Sequence, residues 1–390
     1  MKLAVKRASR EIKVGKVVVG GGAPVSVQTM ANVDPHDAKL LVEQIESCAA
    51  LGCDIFRLTV PDLDAAKTLA EVKKRSPIPL VADIHFDYKC ALASIEAGVD
   101  ALRLNPGNIG GREKVQAVAR AAKAKGVPIR IGVNAGSLEK DLQEEAASRV
   151  ARRTMEEANR RTMGETDCGR AELLVESAMR HVKMLEDEDF HDIVISAKAS
   201  NTLETIATYR LLAEKCDYPL HVGVTEAGTF LPGTVRNSVA LGVLLSEGIG
   251  DTIRVSLTAK PEKEVRVGME ILRSLGLRAA GPAITSCPTC GRTKVDLVHI
   301  ASQVEIALET LYHDHTLAAS GSAQDGMAKK FPHVAVMGCV VNGPGEAKGA
   351  DIALCGGDGE FLLYEKGELV AKIPEAEAVN EVVKHVLHYT

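Results

Sequence analysis

The feature that most restricts the fold of this sequence is a repeat of short apolar runs separated by helical patterns, from Val25 to Leu275. The runs are rich in β-branched residues, which is typical of buried parallel strands. We predict strands at Val25–Met30, Ile55–Val60, Leu80–His85, Ala101–Asn105, Ile129–Asn134, Ile193–Lys198, Leu220–Thr225 and Ile253–Leu257. Helical patterns lie between them, at Ala38–Leu51, Ala65–Arg75, Arg112–Ala124 and Glu262–Leu275. Eight such units in roughly 250 residues predict a (β/α)8 TIM barrel, an α/β fold, rather than an open dinucleotide-binding sheet, because no GxGxxG loop follows the first strand.

The barrel is expected to form a first domain, residues 1–276, preceded by a small hairpin at Glu11–Pro24. We interpret residues 277–285 as a linker to a smaller α+β domain, residues 286–390. The elements predicted there are a helix at Val295–Leu311, strands at His333–Met337 and Asp351–Leu354, a hairpin at Glu360–Val370 and a closing helix from Glu375.

Composition excludes several classes of function. The net charge is -5, aromatic residues make up 3% of the chain and Trp is absent, so neither a basic surface nor a base-stacking platform for nucleic acid is expected. The nine cysteines are odd in number and irregular in spacing, which indicates reduced thiols rather than a disulfide framework. The charged N-terminus offers no signal peptide or membrane span, so we expect a cytoplasmic protein.

Polar residues recur two positions apart in the predicted strands, and such residues face the same side, into the barrel or its mouth. The pairs are Asp83 with His85, Arg103 with Asn105, Arg130 with Asn134 (four apart), Ser196 with Lys198, Arg254 with Ser256, and Arg57 with Thr59. Cations on five strands need anions, and the strands themselves provide only Asp83 and Glu226. Because guanidinium groups bind phosphate oxygens in pairs, and barrel enzymes bind ligands at this mouth, we predict a phosphate or diphosphate ester as ligand. Layered ion pairs are the alternative.

Two further residues are candidates for roles in the site, one in proton transfer and one in ligand contact. Glu226 ends the seventh predicted strand, where a carboxyl partly shielded from water can act as a general acid. Its alternative role is that of a counter-ion for Arg254 or Lys198. His85 is a candidate ligand contact, although a lone histidine is more often a packed core residue.

Three thiols and a carboxylate follow the barrel, in SCPTCGR at residues 286–292 and GCVVNGPGEA at residues 338–347. Cys287, Cys290, Cys339 and Glu346 could converge on a metal, and thiolate ligands select zinc or iron–sulfur clusters. If Cys355 were instead the fourth ligand, a structural four-cysteine zinc site would be the natural inference. We expect Cys355 to be a small buried residue, because it lies in an apolar strand.

A charged segment at Leu138–Arg161 interrupts the barrel pattern. Its Ala, Leu and Met residues recur at helical spacing, so we predict an additional amphipathic helix. A solvated surface is the ordinary role for such a helix, and docking of a partner or a second subunit is the alternative.

Nine ordered motifs together resemble the 4-hydroxy-3-methylbut-2-enyl diphosphate synthase family of the methylerythritol phosphate route to isoprenoids, in its bacterial two-domain form. They are VQTM, ADIHFDY, LRLNPGNIG, RIGVNAGSLEKDL, ISAKASN, GVTEAG, IRVSLT, SCPTCGR and GCVVNGPGEA. The resemblance implies reductive opening of 2-C-methyl-D-erythritol 2,4-cyclodiphosphate to 4-hydroxy-3-methylbut-2-enyl diphosphate and water, with two electrons passed through a [4Fe-4S] cluster. Since the chain has no visible nicotinamide or flavin motif, a ferredoxin or flavodoxin would be the electron donor.

The resemblance also implies residue roles. The cluster would be held by Cys287, Cys290, Cys339 and Glu346, and Asp83 and Glu226 would lie near the reacting carbons. The diphosphate would be bound by Arg57, His85, Arg103, Arg130, Asn134, Lys198, Arg254 and Ser256. A homodimer paired head to tail is implied as well, in which the cluster domain of one subunit covers the barrel of the other.

The sequence departs from this family pattern in the length of its charged segment and in having a thiol at Cys355. Two other classes of function stay open at this point. A zinc-binding regulatory or nucleic-acid module would use Cys355 as a ligand, and an aldolase-like barrel would use Lys198 as a Schiff base.

Overall fold

A computed structural model describes residues 4–105, 108–134, 138, 141–142, 144, 168–278, 281–319, 331–341 and 343–389. The chain divides into two compact units, Met1–Arg278 and Ala279–Thr390. The boundary between them lies within the segment 277–285 that we interpreted as a linker. The charged helix predicted at 138–161 lies almost entirely outside the described residues. Within the described chain, no helix combines the length and apolar character needed to span a membrane.

The first unit is the predicted (β/α)8 barrel. Its strands are β3 (Ser26–Met30), β4 (Ile55–Thr59), β5 (Leu80–Ile84), β6 (Ala101–Leu104), β7 (Ile129–Asn134), β8 (Ile193–Lys198), β9 (His221–Val222) and β10 (Thr252–Ile253). They are hydrogen-bonded in the order β8-β7-β6-β5-β4-β3-β10-β9, and a parallel bridge between Ile195 and Leu220 closes the circle.

Among the described residues, a helix follows each strand of the barrel. These helices are α1 (Ala38–Ala50), α2 (Leu63–Arg75), α3 (Tyr88–Glu96), α4 (Arg112–Lys125), α5 (Cys168–Glu186), α6 (Thr202–Lys215), α7 (Phe230–Ser246) and α8 (Pro261–Ser274). Several begin at a side-chain cap: Asp37 accepts from the Leu40 N–H, and Asp62 from the Asp64 and Ala65 N–H groups. The apolar faces of the helices pack on the outward side chains of the strands to form the main core.

The last two barrel strands are shorter than predicted. Pairing stops where Gly223 meets the backbone of Arg254, since a Cβ at position 223 would lie 2.2 Å from the Arg254 carbonyl oxygen. The glycine is therefore needed for the close approach of β9 to β10.

The N-terminal hairpin closes one end of the barrel. Its strands, β1 (Ile12–Val14) and β2 (Val17–Val19), pair antiparallel as predicted. Val14 and Val19 pack on the first inward residues of three barrel strands, namely Ile55, Val81 and Ala101. Since these residues lie at the amino ends of the strands, the hairpin leaves the opposite, carboxyl end as the mouth.

The second unit is an α+β domain with one five-stranded sheet. Its strands, in sheet order, are β11 (Ala283–Ser286), β12 (His333–Met337), β13 (Ile352–Gly356), β14 (Glu360–Glu365) and β15 (Glu368–Pro374). The first three are parallel and the last two form the predicted hairpin. Its helices are α9 (Leu297–Ala319), the short α10 (Gly343–Glu346) and α11 (Ala378–Tyr389). Strand β11 was not predicted and includes residues 283–285 of the supposed linker.

We expect Phe56→Ala to lower the free energy of unfolding by about 3–5 kcal/mol, because it leaves a cavity in the main core. Phe56 is fully buried on β4, whereas Phe86 is 72% exposed. Phe86→Ala is the matched control and should change stability by no more than about 0.5 kcal/mol. Chemical denaturation of both variants measures the difference, and similar losses would contradict the assignment of Phe56 to the core.

Candidate active site and cysteine group

The parallel register of the barrel gathers the predicted polar residues on its inner side. Asp83 on β5 lies opposite Arg103 on β6, and Arg103 lies opposite Arg130 on β7. Asn134 pairs in the same way with Lys198 on β8. Three neighbouring strands therefore bring an anion and two guanidinium groups together, as their alternating pattern predicted.

Asp83 is the central anion of this group. It is 1% exposed, and its carboxylate lies 3.0 Å from Arg103 Nη1, 3.6 Å from Arg57 Nε and 3.9 Å from His85 Nε2. Burial alone would raise the pKa of Asp83, but attraction to Arg57 and Arg103 outweighs it, and the pKa is lowered. Asp83 is therefore ionised at neutral pH, which suits a counter-ion for the arginines better than a proton donor.

Arg57 and Arg103 are fixed by further contacts. Arg57 approaches the Met30 sulfur with Nε at 3.1 Å and Nη2 at 2.7 Å, and Arg103 Nη2 donates to the Gly132 carbonyl at 3.2 Å. A Cβ at position 132 would lie 2.2 Å from Arg103 Nε, so any side chain there would have to displace the Arg103 guanidinium. Burial, together with repulsion from Arg254 and Arg103, lowers the pKa of Arg57 to about 10, although attraction to Asp83 opposes the change.

Two deeper cations have few protein partners. Arg130 is 5% exposed, and its Nη1 donates to Gln28, while Nε and Nη2 have no hydrogen-bond partner among the described residues. Lys198 is 6% exposed and makes no hydrogen bond or ion pair within the described part of the chain. Burial lowers the pKa of both groups, as does repulsion from neighbouring arginines. An anionic ligand would relieve this excess of positive charge.

Arg254 pairs with a carboxylate that the sequence reasoning missed. Glu264 on α8 is 4% exposed, and its Oε2 and Oε1 lie 3.3 Å from Arg254 Nε and Nη2, respectively. The count of carboxylates on the strands did not include this helical anion, and the alternative role of Glu226 as the counter-ion of Arg254 was wrong. A signal for Glu264 was present, because it lies on the same apolar helix face as Gly268, Ile271 and Leu272, where a charge needs a buried partner.

Glu226 lies in the loop after β9 and is exposed, so the described residues do not shield it from water as the sequence argument required. Its φ of 51° places a residue other than glycine in the left-handed region. Such backbone strain is concentrated at functional sites. Asn134 and Ser256 are half-buried near the carboxyl ends of β7 and β10, and His85 follows β5 with 45% of its side chain exposed.

In the second unit, the parallel strands deliver two of the predicted thiols to one edge of the sheet. Cys287 follows β11 directly and Cys339 follows β12 by one residue. The Gly338 N–H donates to Cys287 Sγ at 3.2 Å, which ties the two turns together. Cys290 is exposed, and hydrogen bonds from the backbone and side chain of Arg292 lower the pKa of its thiol.

Cys355 differs from these three cysteines. It lies inside β13, fully buried, and burial raises the pKa of its thiol to about 12. Helix α10, which ends at Glu346, begins directly over it, since a Cβ at Gly343 would lie 3.0 Å from Cys355 Sγ. Cys355 is thus a packed thiol, as expected, and a site built from the three other cysteines leaves it protonated.

The three predicted thiol ligands have the soft-donor chemistry that zinc and iron–sulfur clusters both select. Across the described ranges, no three His, Cys, Asp or Glu residues are placed to hold a metal ion directly. Two of these thiols lie at one sheet edge, and the third, Cys290, is exposed three residues after Cys287. A donor set of this kind fits the iron atoms of a cluster. The structure describes Glu346 only as the last residue of α10.

Comparison with known proteins gives concordant matches to both units. The model of the GcpE TIM-barrel domain matches residues 9–269, and that of the GcpE protein C-terminal domain matches residues 283–388. A protein from Clostridium acetobutylicum is 50% identical over 97% of this chain and 98% of its own length, and one from Geobacter sulfurreducens is 49% identical over 98% of each. A third, from Ruminiclostridium cellulolyticum, is 50% identical over 99% of each chain. All three are named 4-hydroxy-3-methylbut-2-en-1-yl diphosphate synthase (flavodoxin).

The difference between the thiols predicts selective alkylation. In full-length protein freed of any metal, iodoacetamide at neutral pH should modify Cys290 at least roughly a hundredfold faster than Cys355. Of these two cysteines, only Cys290 is exposed, and its lowered pKa raises the fraction of the thiol that is ionised. Peptide mass spectrometry over a time course measures both rates. Cys355→Ser is the control and should leave the rate at Cys290 unchanged, whereas equal labelling of the two cysteines would contradict the buried position of Cys355.

Proposed function

The chain belongs to the GcpE family, and from that membership and the charge of its barrel we propose the reaction it catalyses. It is an iron–sulfur oxidoreductase that reductively opens and dehydroxylates 2-C-methyl-D-erythritol 2,4-cyclodiphosphate. The products are 4-hydroxy-3-methylbut-2-enyl diphosphate and water. The reaction consumes two electrons and belongs to isoprenoid biosynthesis by the methylerythritol phosphate pathway.

One observation supports the substrate class most strongly. Five cations of the described barrel, Arg57, Arg103, Arg130, Lys198 and Arg254, face only two carboxylates, Asp83 and Glu264. A cyclic diphosphate carries one ionisable oxygen on each phosphorus, and opening the ring frees another. The cations therefore stabilise negative charge that grows as the C–O bond breaks, which is the differential stabilisation that catalysis needs.

The proposed substrate ligands are the residues of the barrel mouth and its inner side: Arg57, His85, Arg103, Arg130, Asn134, Lys198, Arg254 and Ser256. Arg130 and Lys198 provide donors that have no partner within the described chain. Asp83 holds Arg57 and Arg103 in place. Fixed donors of this kind orient the diphosphate before the bond breaks.

Cys287, Cys290, Cys339 and Glu346 would hold the [4Fe-4S] cluster, which supplies the two electrons one at a time. The relatives are named for flavodoxin, and a flavodoxin, or a ferredoxin, is the proposed electron donor in the cytoplasm. The zinc alternative is disfavoured because its fourth ligand, Cys355, is buried beneath Gly343. The Schiff-base reading of Lys198 leaves the cysteines without a role.

Glu226 is the proposed donor of a proton to the departing oxygen. It is exposed in the isolated chain, so its role requires a cover that excludes water. A second copy of the chain, paired head to tail, is the proposed cover.

Protein purified without oxygen should be brown and contain iron and sulfide in about equal amounts, roughly four of each per chain. It should turn over the cyclic diphosphate with a strong reductant. Glu346→Ala should lower turnover at least about tenfold, while Cys355→Ala should keep the cofactor and the activity. A colourless protein that contains zinc would overturn the assignment. It would also be overturned if Cys355→Ala lost the cofactor while Glu346→Ala kept full activity.

Sedimentation equilibrium of the same anaerobic protein should give twice the mass of one chain. The expectation follows from the exposure of Glu226, since water at the mouth would compete for the proton it delivers. A monomer with full activity would contradict the proposed dimer without affecting the reaction assigned to the barrel.

A further inference from the structure

We infer that Glu264 is a positioning residue for the diphosphate site: it aims Arg254 and fixes the loop that carries Ser256. The inference rests on the proposed function, because both residues are proposed ligands of the substrate. Glu264 lies on helix α8 and is not one of those ligands.

The carboxylate of Glu264 accepts four hydrogen bonds from three residues of the barrel. Oε1 accepts from the Leu257 N–H at 2.9 Å and from Arg254 Nη2 at 3.3 Å. Oε2 accepts from Thr29 Oγ1 at 2.7 Å and from Arg254 Nε at 3.3 Å. A buried carboxylate with both oxygens satisfied in this way is held rigidly.

These contacts restrict the free end of Arg254. With Nε and Nη2 turned toward Glu264, Nη1 is the nitrogen left without a hydrogen-bond partner among the described residues. The side chain is 19% exposed, so this nitrogen can serve a ligand. The paired contact with Glu264 thus determines which edge of the guanidinium is directed toward the diphosphate.

The same carboxylate fixes a second proposed ligand. Leu257 directly follows Ser256 in the chain, and the hydrogen bond from its N–H to Glu264 anchors the loop between β10 and α8. Thr29 on β3 contributes the remaining bond, so Glu264 connects the first strand of the barrel with the segment that follows the last strand, its parallel neighbour.

The sign of the effect distinguishes positioning from simple charge balance. If Glu264 only neutralised Arg254, removing its charge would make the site more positive and tighten the binding of a diphosphate. If it positions Arg254 and the Ser256 loop, the same change weakens binding, because the ligand must then order these groups itself. The two roles therefore predict opposite changes in one measured constant.

The test compares wild-type holoenzyme with Glu264→Gln, an almost isosteric variant. Calorimetry under anaerobic conditions measures binding of inorganic pyrophosphate and of the cyclic diphosphate, and steady-state kinetics gives KM and kcat. We expect the dissociation constants and KM to rise about tenfold or more, since the lost bonds are charge-assisted. An unchanged or lower dissociation constant in a folded Glu264→Gln protein would overturn the inference.

Two further variants keep the result interpretable. Thr29→Val removes one bond to the same carboxylate but leaves the paired contact with Arg254, so it should change the dissociation constants less than about threefold. Glu264→Asp retains the charge but shortens the side chain, and it should weaken binding as Glu264→Gln does. Thermal unfolding confirms that each variant is folded. If wild-type protein binds neither pyrophosphate nor the cyclic diphosphate, the proposed function itself fails, independently of Glu264.

Discussion

Mutual repulsion among the cations inside the barrel is the constraint on which the proposed active site depends. Arg130 and Lys198 are buried, and burial together with neighbouring positive charge lowers their pKa. Removing one partner of a buried ion pair typically lowers the free energy of unfolding by about 3–5 kcal/mol, so Asp83 and Glu264 are needed for the stability of the barrel. The remaining excess of positive charge favours an anionic ligand, which links the stability of the fold directly to its function.

The backbone is adapted to the same crowding. The absence of a side chain at Gly132 leaves space for Arg103. Gly223 allows the chain after β9 to approach the backbone of Arg254, and a Cβ at position 223 would also lie 3.2 Å from Lys198 Nζ. Glycine weakens a strand, because it has no side chain to pack and loses more entropy on folding. At Gly132 a side chain would displace the Arg103 guanidinium, and at Gly223 it would displace the backbone of Arg254.

The sequence was sufficient to predict those features that depend on neighbouring residues within one strand or helix. Alternation with period two identified the inward-facing Asp83, Arg103, Arg130 and Lys198, and the structure places the first three opposite one another in register. Glu264 escaped this reasoning because it reaches the strands from a helix, and no strand period includes it. Strand β11 escaped because it is short and largely exposed, so it lacks an apolar alternation. The exposure of Glu226 is a tertiary property that depends on what covers the loop.

The position of a thiol along its strand separates the cysteines of the second unit. Cys287 and Cys339 lie just beyond the carboxyl ends of parallel strands, and both residues are partly exposed. Cys355 lies within the neighbouring strand opposite Met337, and its sulfur is covered by Gly343. Ligands require deprotonated sulfur, and burial keeps that of Cys355 protonated. Neighbouring strands of one sheet therefore end in partly exposed cysteines or enclose a buried one, and a count of cysteines alone could not separate them.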